Sequence, residues 1–133
     1  MPAMVPECAF CRVEPERIFL AGDAILAFWD LFPVSPGHAL IVPRRHVTTW
    51  FEATTVEQQA LVVAIGAVRD AIEQRARDRG DPVPDGYNVG FNAGEAAGQT
   101  VFHAHVHVIP RYRGDNPSPR GGIRAVIEGK AAY

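Results

Sequence analysis

Three of the five histidines in this chain lie at steps of two residues within HAHVHVI, at His103, His105 and His107. On a β-strand, residues two apart point to the same face and lie roughly 6.5–7 Å apart. The pattern therefore predicts a row of imidazoles facing a cleft, with Ala104 and Val106 facing the core. A neutral imidazole is a good nucleophile toward phosphorus when its other nitrogen donates a proton to a carbonyl. Flanking imidazoles can bind phosphate oxygens and protonate a leaving group.

A second set of candidate ligands begins near the N-terminus with Cys8 and Cys11, in the spacing CxxC. A CxxC pair is a common half of a zinc site. The sequence has no second CxxC pair, so histidines would complete such a site, with His46 and His103 as candidates. The plain alternative is two ordinary reduced thiols. The residues alone thus leave both metal binding and catalysis open for the histidines.

The hydrophobic pattern predicts the strands that must carry these residues. Apolar runs bounded by glycine, proline or other turn residues are typical of strands. Two short strands turning at Gly22-Asp23 are predicted within residues 16–30, and further strands at residues 38–42, 87–92 and 101–109. The last strand contains the three histidines and follows a glycine-bearing loop, whose backbone N–H groups can approach a phosphate closely.

One long helix is predicted between residues 54 and 79. Thr54-x-x-Glu57 is a capping box at its start, and Gly80-Asp81-Pro82 ends it. One side of this helix is apolar over about three turns, through Leu61, Ile65, Val68 and Ile72. Strands around a single long helix predict an α+β fold with a mainly antiparallel sheet.

Length and composition suit a single globular domain of 133 residues with its own core. The formal net charge is −2 without a block of like charges, which argues against a nucleic-acid binder that neutralises phosphates. No apolar run reaches the roughly 20 residues of a membrane span, and the N-terminus lacks the pattern of a signal peptide. We therefore expect a cytoplasmic protein with reduced thiols and no membrane partner.

Together these motifs resemble the histidine triad (HIT) family. His103-Ala-His105-Val-His107-Val-Ile fits the family signature, in which histidines alternate with hydrophobic residues. PGHALIVPRRHV at residues 36–47 resembles a family strand, and NAGEAAGQT at residues 92–100 resembles its phosphate-binding loop. AFWD at residues 27–30 resembles the segment that lines the nucleoside pocket. The resemblance extends over most of the chain.

The resemblance implies a HIT-like fold, which is a mainly antiparallel five-stranded sheet with one long helix and a short one. It implies a single HIT domain over residues 1–133, with a zinc knuckle within residues 1–15 and a C-terminal tail over residues 111–133. Many members pair two sheets into one, so a homodimer is expected. A purine nucleotide is the expected substrate partner.

The resemblance also implies a nucleotide hydrolase with a nucleotidyl-histidine intermediate. His105 would attack the α-phosphorus, and His107 would bind the phosphate oxygens beside it. Gln99 and His103 match the other catalytic positions of the family. The nucleotide-binding positions are Asp30 at the ribose, Phe28 and Leu31 around the base, Asn92, Gly98, Thr100 and Val101 in the phosphate loop, and His38 as a supporting histidine.

A structural zinc ion is implied by similarity to the zinc-bearing bacterial members. In these, two N-terminal cysteines join the histidine of PxxH and the first triad histidine, which here are Cys8, Cys11, His46 and His103. Such a Cys2His2 set is closed to substrate. His103 would then have a mainly structural task, which leaves the chemistry to the other two triad histidines.

The branch of the family is less sharply defined by the sequence. His107 stands where transferase members carry glutamine, which favours hydrolysis. Gly98-Gln99-Thr100 favours the Fhit-like hydrolases of dinucleoside polyphosphates such as diadenosine tri- or tetraphosphate, and this interpretation is preferred. AFWD and RRHV are closer to the Hint-like nucleoside phosphoramidases, and a nucleotide-binding regulator with weak catalysis is a further alternative. In the tail, Arg111, Arg120 and Arg124 either reach the outer phosphates of a long substrate or belong to a solvated segment.

Overall fold

The computed structural model of the protein describes residues 5–133, so the first four residues of the predicted knuckle lie outside it. The chain forms one antiparallel sheet of five strands in the order β1-β2-β3-β5-β4. In chain order the elements are β1 (Ile18–Ala21), β2 (Ile25–Trp29), β3 (Ala39–Pro43), α1 (Thr55–Arg79), β4 (Gly86–Gly90) and β5 (Val106–Arg111). This confirms the α+β fold with one long helix. The other helical segments within residues 5–133 are short 3-10 turns, such as Trp50–Glu52.

Helix α1 begins and ends at the predicted residues. The Thr54 hydroxyl accepts the N–H of Glu57 at 3.1 Å, and the Glu57 carboxylate accepts the N–H of Thr54 at 2.8 Å. Gly80 ends the helix in the left-handed conformation at φ 69°, which residues with a Cβ rarely adopt. Glu57 also accepts two hydrogen bonds from Arg45, and this ion pair joins the start of the helix to the segment after β3.

The sheet has a helix face and a site face, set by the alternation of side chains along its strands. On the helix face, Ala27, Ile41 and Val108 pack against the buried side of α1. Leu61, Val68 and Ile72 on that side are fully buried as predicted, and Ile65 is partly buried. On the opposite face, the cluster of Phe28, Leu40 and Val42 is covered by Phe10, Val13, Ile18 and Leu26. The N-terminal segment therefore covers the face of the sheet that the helix leaves free.

The strand predicted at residues 101–109 begins only at Val106 and continues to Arg111. Of the three histidines, only His107 lies on a strand, paired with Leu40 of β3 and Gly90 of β4. His103 and His105 precede the strand and are buried, so the predicted start of the strand is wrong. Before Val106 the backbone bonds elsewhere, since the N–H of Ala104 donates to the carbonyl oxygen of Val47 at 2.7 Å. The three imidazoles still form a row, because the Phe10 ring contacts both His103 and His105, and the ring of His107 lies 5.1 Å from that of His105.

No helix within residues 5–133 has both the length and the apolar character that crossing a membrane requires.

Candidate active site and metal centre

A cavity of about 260 Å³ opens on the site face beside two of the histidines. Its lining combines titratable, apolar and loop residues, namely Ala9, Phe10, Arg17, Asp30, Leu31, Phe32, Leu40, Thr100, Val101, His105 and His107. A larger cavity of about 570 Å³ lies at the C-terminal end of α1, between Ile72, Arg75 and Tyr112. The smaller cavity is the candidate active site, because the imidazoles of His105 and His107 line it together with the carboxylate of Asp30.

His105 is held with one ring nitrogen free. Its Nδ1 lies 2.8 Å from the carbonyl oxygen of His103. A carbonyl only accepts, so Nδ1 carries the proton and Nε2 keeps its lone pair. Burial lowers the pKa of His105 more than the His103 carbonyl and the carboxylate of Asp30 raise it. The ring is therefore neutral near pH 7 and has the tautomer that a nitrogen nucleophile needs.

His107 is held in the opposite tautomer by a chain of hydrogen bonds. The N–H of Val34 donates to Nδ1 of His38 at 3.1 Å, so a neutral His38 carries its proton on Nε2. That nitrogen lies 3.0 Å from Nδ1 of His107 and 3.4 Å from the carboxylate of Asp30. His107 Nδ1 is the nearer acceptor, which leaves the proton of His107 on Nε2 as a donor.

The protonation of His107 is set mainly by burial. Burial, with smaller contributions from the neighbouring His105 and His38, lowers the pKa of His107 to about 4, against an opposing effect of Asp30. Burial likewise lowers the pKa of His38, while Asp30 raises it. Both rings are thus neutral near pH 7. Two neutral imidazoles with opposite tautomers lie side by side, with ring centroids 5.1 Å apart, one with a free lone pair and the other with a free N–H.

Four predicted metal ligands lie together at the N-terminal end of the site. The sulfur atoms of Cys8 and Cys11 are each 3.5 Å from Nδ1 of His103, and that of Cys11 is 3.3 Å from Nδ1 of His46. All four ligand atoms lie within 4.8 Å of one another. A tetrahedral zinc ion with usual bond lengths holds its sulfur and nitrogen ligands about 3.5 Å apart, so the residues fit this ion.

His103, the first triad histidine, has the tautomer and the neutral ring that a zinc ligand needs. His103 is fully buried, and its Nε2 donates to the carbonyl oxygen of Pro43 at 2.8 Å, which leaves the lone pair on Nδ1 toward the cysteines. Burial lowers the pKa of His103, which keeps the ring neutral as a metal ligand must be. His103 therefore contacts Cys8 and Cys11 through its ring and His105 through its carbonyl oxygen.

The sequence and fold both match known proteins. Residues 12–114 match the family described as HIT domain. The chain belongs to the HIT domain family. A HIT relative, "Protein hit" of Bacillus subtilis, is 36% identical over 113 residues, which cover 81% of this chain and 74% of that protein. The solved structure of a HIT family member from Bacillus subtilis superposes with a TM-score of 0.70 at 33% identity, covering 82% of this chain and 76% of the other.

Two further HIT proteins bear on the chemistry. "Adenylylsulfatase HINT3" of Arabidopsis thaliana is 32% identical over 82% of this chain and 54% of its own length. A Zn-bound histidine triad family protein from Mycobacterium smegmatis has a TM-score of 0.65 at 32% identity, covering 84% of this chain and 80% of that one. HIT proteins bind nucleotides and are generally nucleotide hydrolases or transferases.

The glycine-bearing HIT loop is held together by Gln99. This side chain is buried, and its Oε1 accepts the N–H of Gly94 at 2.8 Å. Its Nε2 donates to the carbonyl oxygens of Thr48 and Val101, at 2.7 and 3.1 Å. In this structure the Gln99 amide therefore joins the loop to the segment before α1, through backbone partners at Gly94, Val101 and Thr48.

The other predicted loop residues separate into two groups. Thr100 and Val101 line the cavity. Asn92 and Gly98 lie beside each other at the base of the loop, where Gly98 adopts φ 93°. Such a backbone conformation favours glycine, and it aims the following residues toward the histidines.

The predicted base-binding residues lie in different positions. Leu31 lines the cavity and is exposed to solvent, so it lies at the mouth of the pocket. Phe28 is fully buried behind the lining, which corrects the prediction that it contacts the base. Phe10 and Arg17 lie over it, with the Phe10 ring at 5.4 Å and the Arg17 guanidinium at 5.2 Å. Phe10 lies between the two knuckle cysteines, and this position is the sequence signal that would have identified it.

Asp30 lines the cavity, and His38 contacts the triad histidine His107. The carboxylate of Asp30 lines the cavity at the end of β2, with Oδ1 accepting the N–H of Phe32 at 2.9 Å. Their backbones are also joined, since the N–H of Asp30 donates to the carbonyl oxygen of His38 at 3.0 Å. Asp30, His38 and His107 also have their ligand atoms within 4.8 Å of one another, a spacing that their hydrogen bonds explain.

The arginines of the C-terminal tail make contacts of their own. Arg111 donates two hydrogen bonds to Asp115 and one to Asn88. The guanidinium groups of Arg120 and Arg124 lie 5.2 and 4.7 Å from the ring centroid of Tyr133. These contacts favour the interpretation of the tail as a structural segment.

Proposed function

We propose that this HIT protein hydrolyses nucleotides by nucleophilic attack of His105 on the α-phosphorus. The observation that carries the proposal is the hydrogen bond from His105 Nδ1 to the carbonyl of His103, at 2.8 Å. It leaves Nε2 with a lone pair on a ring that lines the cavity. The opposite tautomer of the neighbouring His107 supplies a donor for a phosphate oxygen.

The proposed reaction has two steps. In the first, Nε2 of His105 forms a bond to the α-phosphorus as the bond from phosphorus to the leaving oxygen breaks. A phosphate leaving group departs as an anion and needs no proton, so the N–H of His107 acts as a hydrogen-bond donor. In the second step, water attacks the phosphorus and the N–P bond breaks. His105 regains its lone pair, the nucleoside monophosphate leaves, and one proton passes to solvent.

The preferred substrates are dinucleoside polyphosphates such as diadenosine tri- or tetraphosphate. The cavity of about 260 Å³ is slightly smaller than the usual range for small-molecule sites, which begins at about 300 Å³. It therefore suits one nucleoside monophosphate moiety, with Asp30 at the ribose and Leu31 at the base. The second nucleotide of the substrate would extend into solvent.

Cleavage of a phosphoramidate is the second candidate. Two observations support it, namely the 32% identity to HINT3 of Arabidopsis thaliana, which points to Hint-like relatives, and the contacts of the tail arginines with Asp115 and Tyr133. An amine leaving group needs a proton, which His107 would supply from its imidazolium form, after taking up a proton from solvent and before returning to the neutral ring.

Hydrolysis of three substrates in parallel tests the proposal. Release of AMP from diadenosine triphosphate, diadenosine tetraphosphate and adenosine 5′-phosphoramidate is compared for the wild type and His105→Asn. We expect the dinucleotides to be cleaved fastest and the substitution to abolish their cleavage. Faster cleavage of the phosphoramidate would assign the Hint-like activity. Binding of AMP without turnover of any substrate would contradict hydrolysis and support the regulatory alternative.

We further propose that the four-ligand cluster holds a structural zinc ion. Bound there, zinc supplies a cross-link between the N-terminal segment and the residues before β5 rather than a group for catalysis. Thiolate ligands require a reducing compartment, which agrees with a cytoplasmic location. Elemental analysis of the purified protein is expected to give one zinc per chain, and Cys8→Ser with Cys11→Ser is expected to remove it. Full zinc content in that double variant would contradict the assignment.

We also propose that residues 1–133 act as a single HIT domain and that two copies form a dimer. Strand β4 is at the edge of the sheet, and an exposed apolar surface lies nearby, formed by Phe51, Val62, Val63 and Phe91. Light scattering is expected to give twice the mass of the 14.5 kDa chain. Val63→Lys is expected to give the monomer, and a monomeric wild type would contradict the proposal.

A further inference from the structure

The metal-binding knuckle, residues 8–11, carries two residues into the candidate active site. Ala9 and Phe10 lie between the two cysteines, and both line the cavity that contains His105 and His107. The ligands of the metal cluster and the wall of the cavity are therefore parts of the same four-residue turn.

Phe10 joins the knuckle to the proposed nucleophile. Its ring lies 5.0 Å from the ring of His105 with an interplanar angle of 78°, which is an edge-on contact. It also lies 5.4 Å from Phe28 and 6.2 Å from His103. The ring thus closes the cavity on one side and restricts the position of the His105 imidazole.

The knuckle has few other connections to the rest of the protein. Within the described residues, the hydrogen bonds of residues 5–12 stay inside that segment, except at the two thiols. Examples are the bonds from Cys8 N–H to the Val5 carbonyl and from the Arg12 guanidinium to the Pro6 carbonyl. The contacts that extend outward are those of Cys8 and Cys11 with His46 and His103, and the packing of Phe10 and Val13 on the sheet.

We propose that metal occupancy of the knuckle and nucleotide affinity of the cavity are coupled through Phe10. A metal ion bound by both cysteines fixes the ends of the turn and with them the Phe10 ring. Without the metal, the turn is held to the rest of the protein mainly by the packing of Phe10 and Val13, and a nucleotide must order it on binding. Coupling between two ligands is reciprocal, so a bound nucleotide must raise the zinc affinity by the same factor.

The proposal deepens the proposed function, since it assumes that the cavity binds a nucleotide, and AMP is the probe. AMP is titrated by calorimetry into zinc-loaded protein and into protein stripped of zinc by a chelator. We expect stripping to weaken AMP binding about tenfold, within the usual range of coupling between sites. Zinc affinity, measured by chelator competition, is expected to increase by the same factor at saturating AMP.

Substitutions of Phe10 separate the coupling from metal binding itself. Phe10→Ala is expected to keep one zinc per chain and to bind AMP with the same weakened affinity whether or not zinc is present. Phe10→Leu, which keeps an apolar side chain, is expected to retain part of the coupling. Tyr133→Ala removes an exposed ring that contacts Arg120 and Arg124 in the C-terminal tail, and it serves as the control, with coupling equal to that of the wild type.

The outcomes distinguish this proposal from the proposed function. Equal AMP affinity of loaded and stripped wild type would overturn the coupling and leave nucleotide binding intact. Full coupling in Phe10→Ala would also overturn it, as would loss of the far-UV circular dichroism spectrum on stripping, since the effect would then be global unfolding. Absence of AMP binding to the loaded wild type would instead contradict the proposed function.

Discussion

Nε2 of His38 lies 3.0 Å from Nδ1 of His107, and this contact determines which nitrogen of His107 faces the cavity as a donor. The relationship depends on the N–H of Val34, which occupies the other nitrogen of His38. A residue outside the cavity lining thus sets the chemical character of one inside it. The orientation of the two neutral imidazoles, rather than a charged group, is the main feature of the proposed mechanism.

Replacing His38 is therefore expected to impair His107 without removing it. In His38→Ala, Nδ1 of His107 loses its donor and the two tautomers of His107 become mixed. We expect kcat/KM to fall roughly 10²-fold, a usual effect of losing a positioned hydrogen-bond donor to a phosphate oxygen. Long-range ¹H–¹⁵N spectra should show Nε2–H for His107 in the wild type and a mixture in the variant. An unchanged tautomer together with full activity would contradict this role.

The low pKa of His107 makes the protein less stable in acid. His107 has a pKa of about 4 when folded and an ordinary value near 6.5 when unfolded, so between these values the unfolded chain binds more protons. The fold accommodates the neutral form of His107, so the unfolding free energy is unaffected by this group above pH 6.5 and decreases as the pH falls toward 4. Between pH 7 and pH 5, His107→Gln should lose about 1–2 kcal/mol less unfolding free energy than the wild type. Urea denaturation at both pH values measures this, and equal losses would contradict it.

Gln99 is expected to act through the loop. Gln99→Ala removes three hydrogen bonds of a buried amide and leaves the N–H of Gly94 without its partner. We expect a loss of about 2–3 kcal/mol of stability and a rise in KM that exceeds the fall in kcat. The control is Gln74→Ala on the exposed surface of α1, with a change within about 0.5 kcal/mol. A fall in kcat alone would support the direct catalytic role predicted from the sequence.

The capping box is expected to contribute measurably to stability. Thr54→Ala removes the acceptor for the N–H of Glu57 and should cost about 1 kcal/mol of unfolding free energy. Thr55→Ala changes the same residue type at the next position, inside the helix and exposed, and should change stability by less than about 0.5 kcal/mol. Thermal unfolding of both variants compares them, and equal effects would contradict the assignment of the cap.

The features that the sequence predicted well have local causes. Thr54, Glu57 and Gly80 define the ends of α1 through contacts between near neighbours, and the cysteine and histidine spacing resembles a known ligand set. The errors involve residues whose environment comes from distant parts of the chain. His103 and His105 have the alternation of a strand, but they precede β5, and the N–H of Ala104 between them donates to the carbonyl oxygen of Val47 rather than to a neighbouring strand.

The local sequence pattern also could not predict whether Phe10, Phe28 and Gln99 contact the cavity. An aromatic residue in a strand is predicted to be apolar and buried, and nothing in its neighbours tells whether it lines a cavity or lies behind the lining. For Phe28 the answer depends on Phe10, which is 18 positions away in the sequence. For Gln99 it depends on the carbonyl of Thr48.

The covalent intermediate on His105 is the central claim, and intact-protein mass spectrometry tests it most directly. Wild type and His105→Asn are mixed with diadenosine tetraphosphate and quenched in alkali within milliseconds, since phosphorus–nitrogen bonds to histidine survive in base. We expect the wild type to carry an added AMP moiety, formed in a burst before steady turnover, and the variant to carry no such adduct. An adduct of the same size on His105→Asn, or steady hydrolysis by the wild type without any adduct, would contradict it.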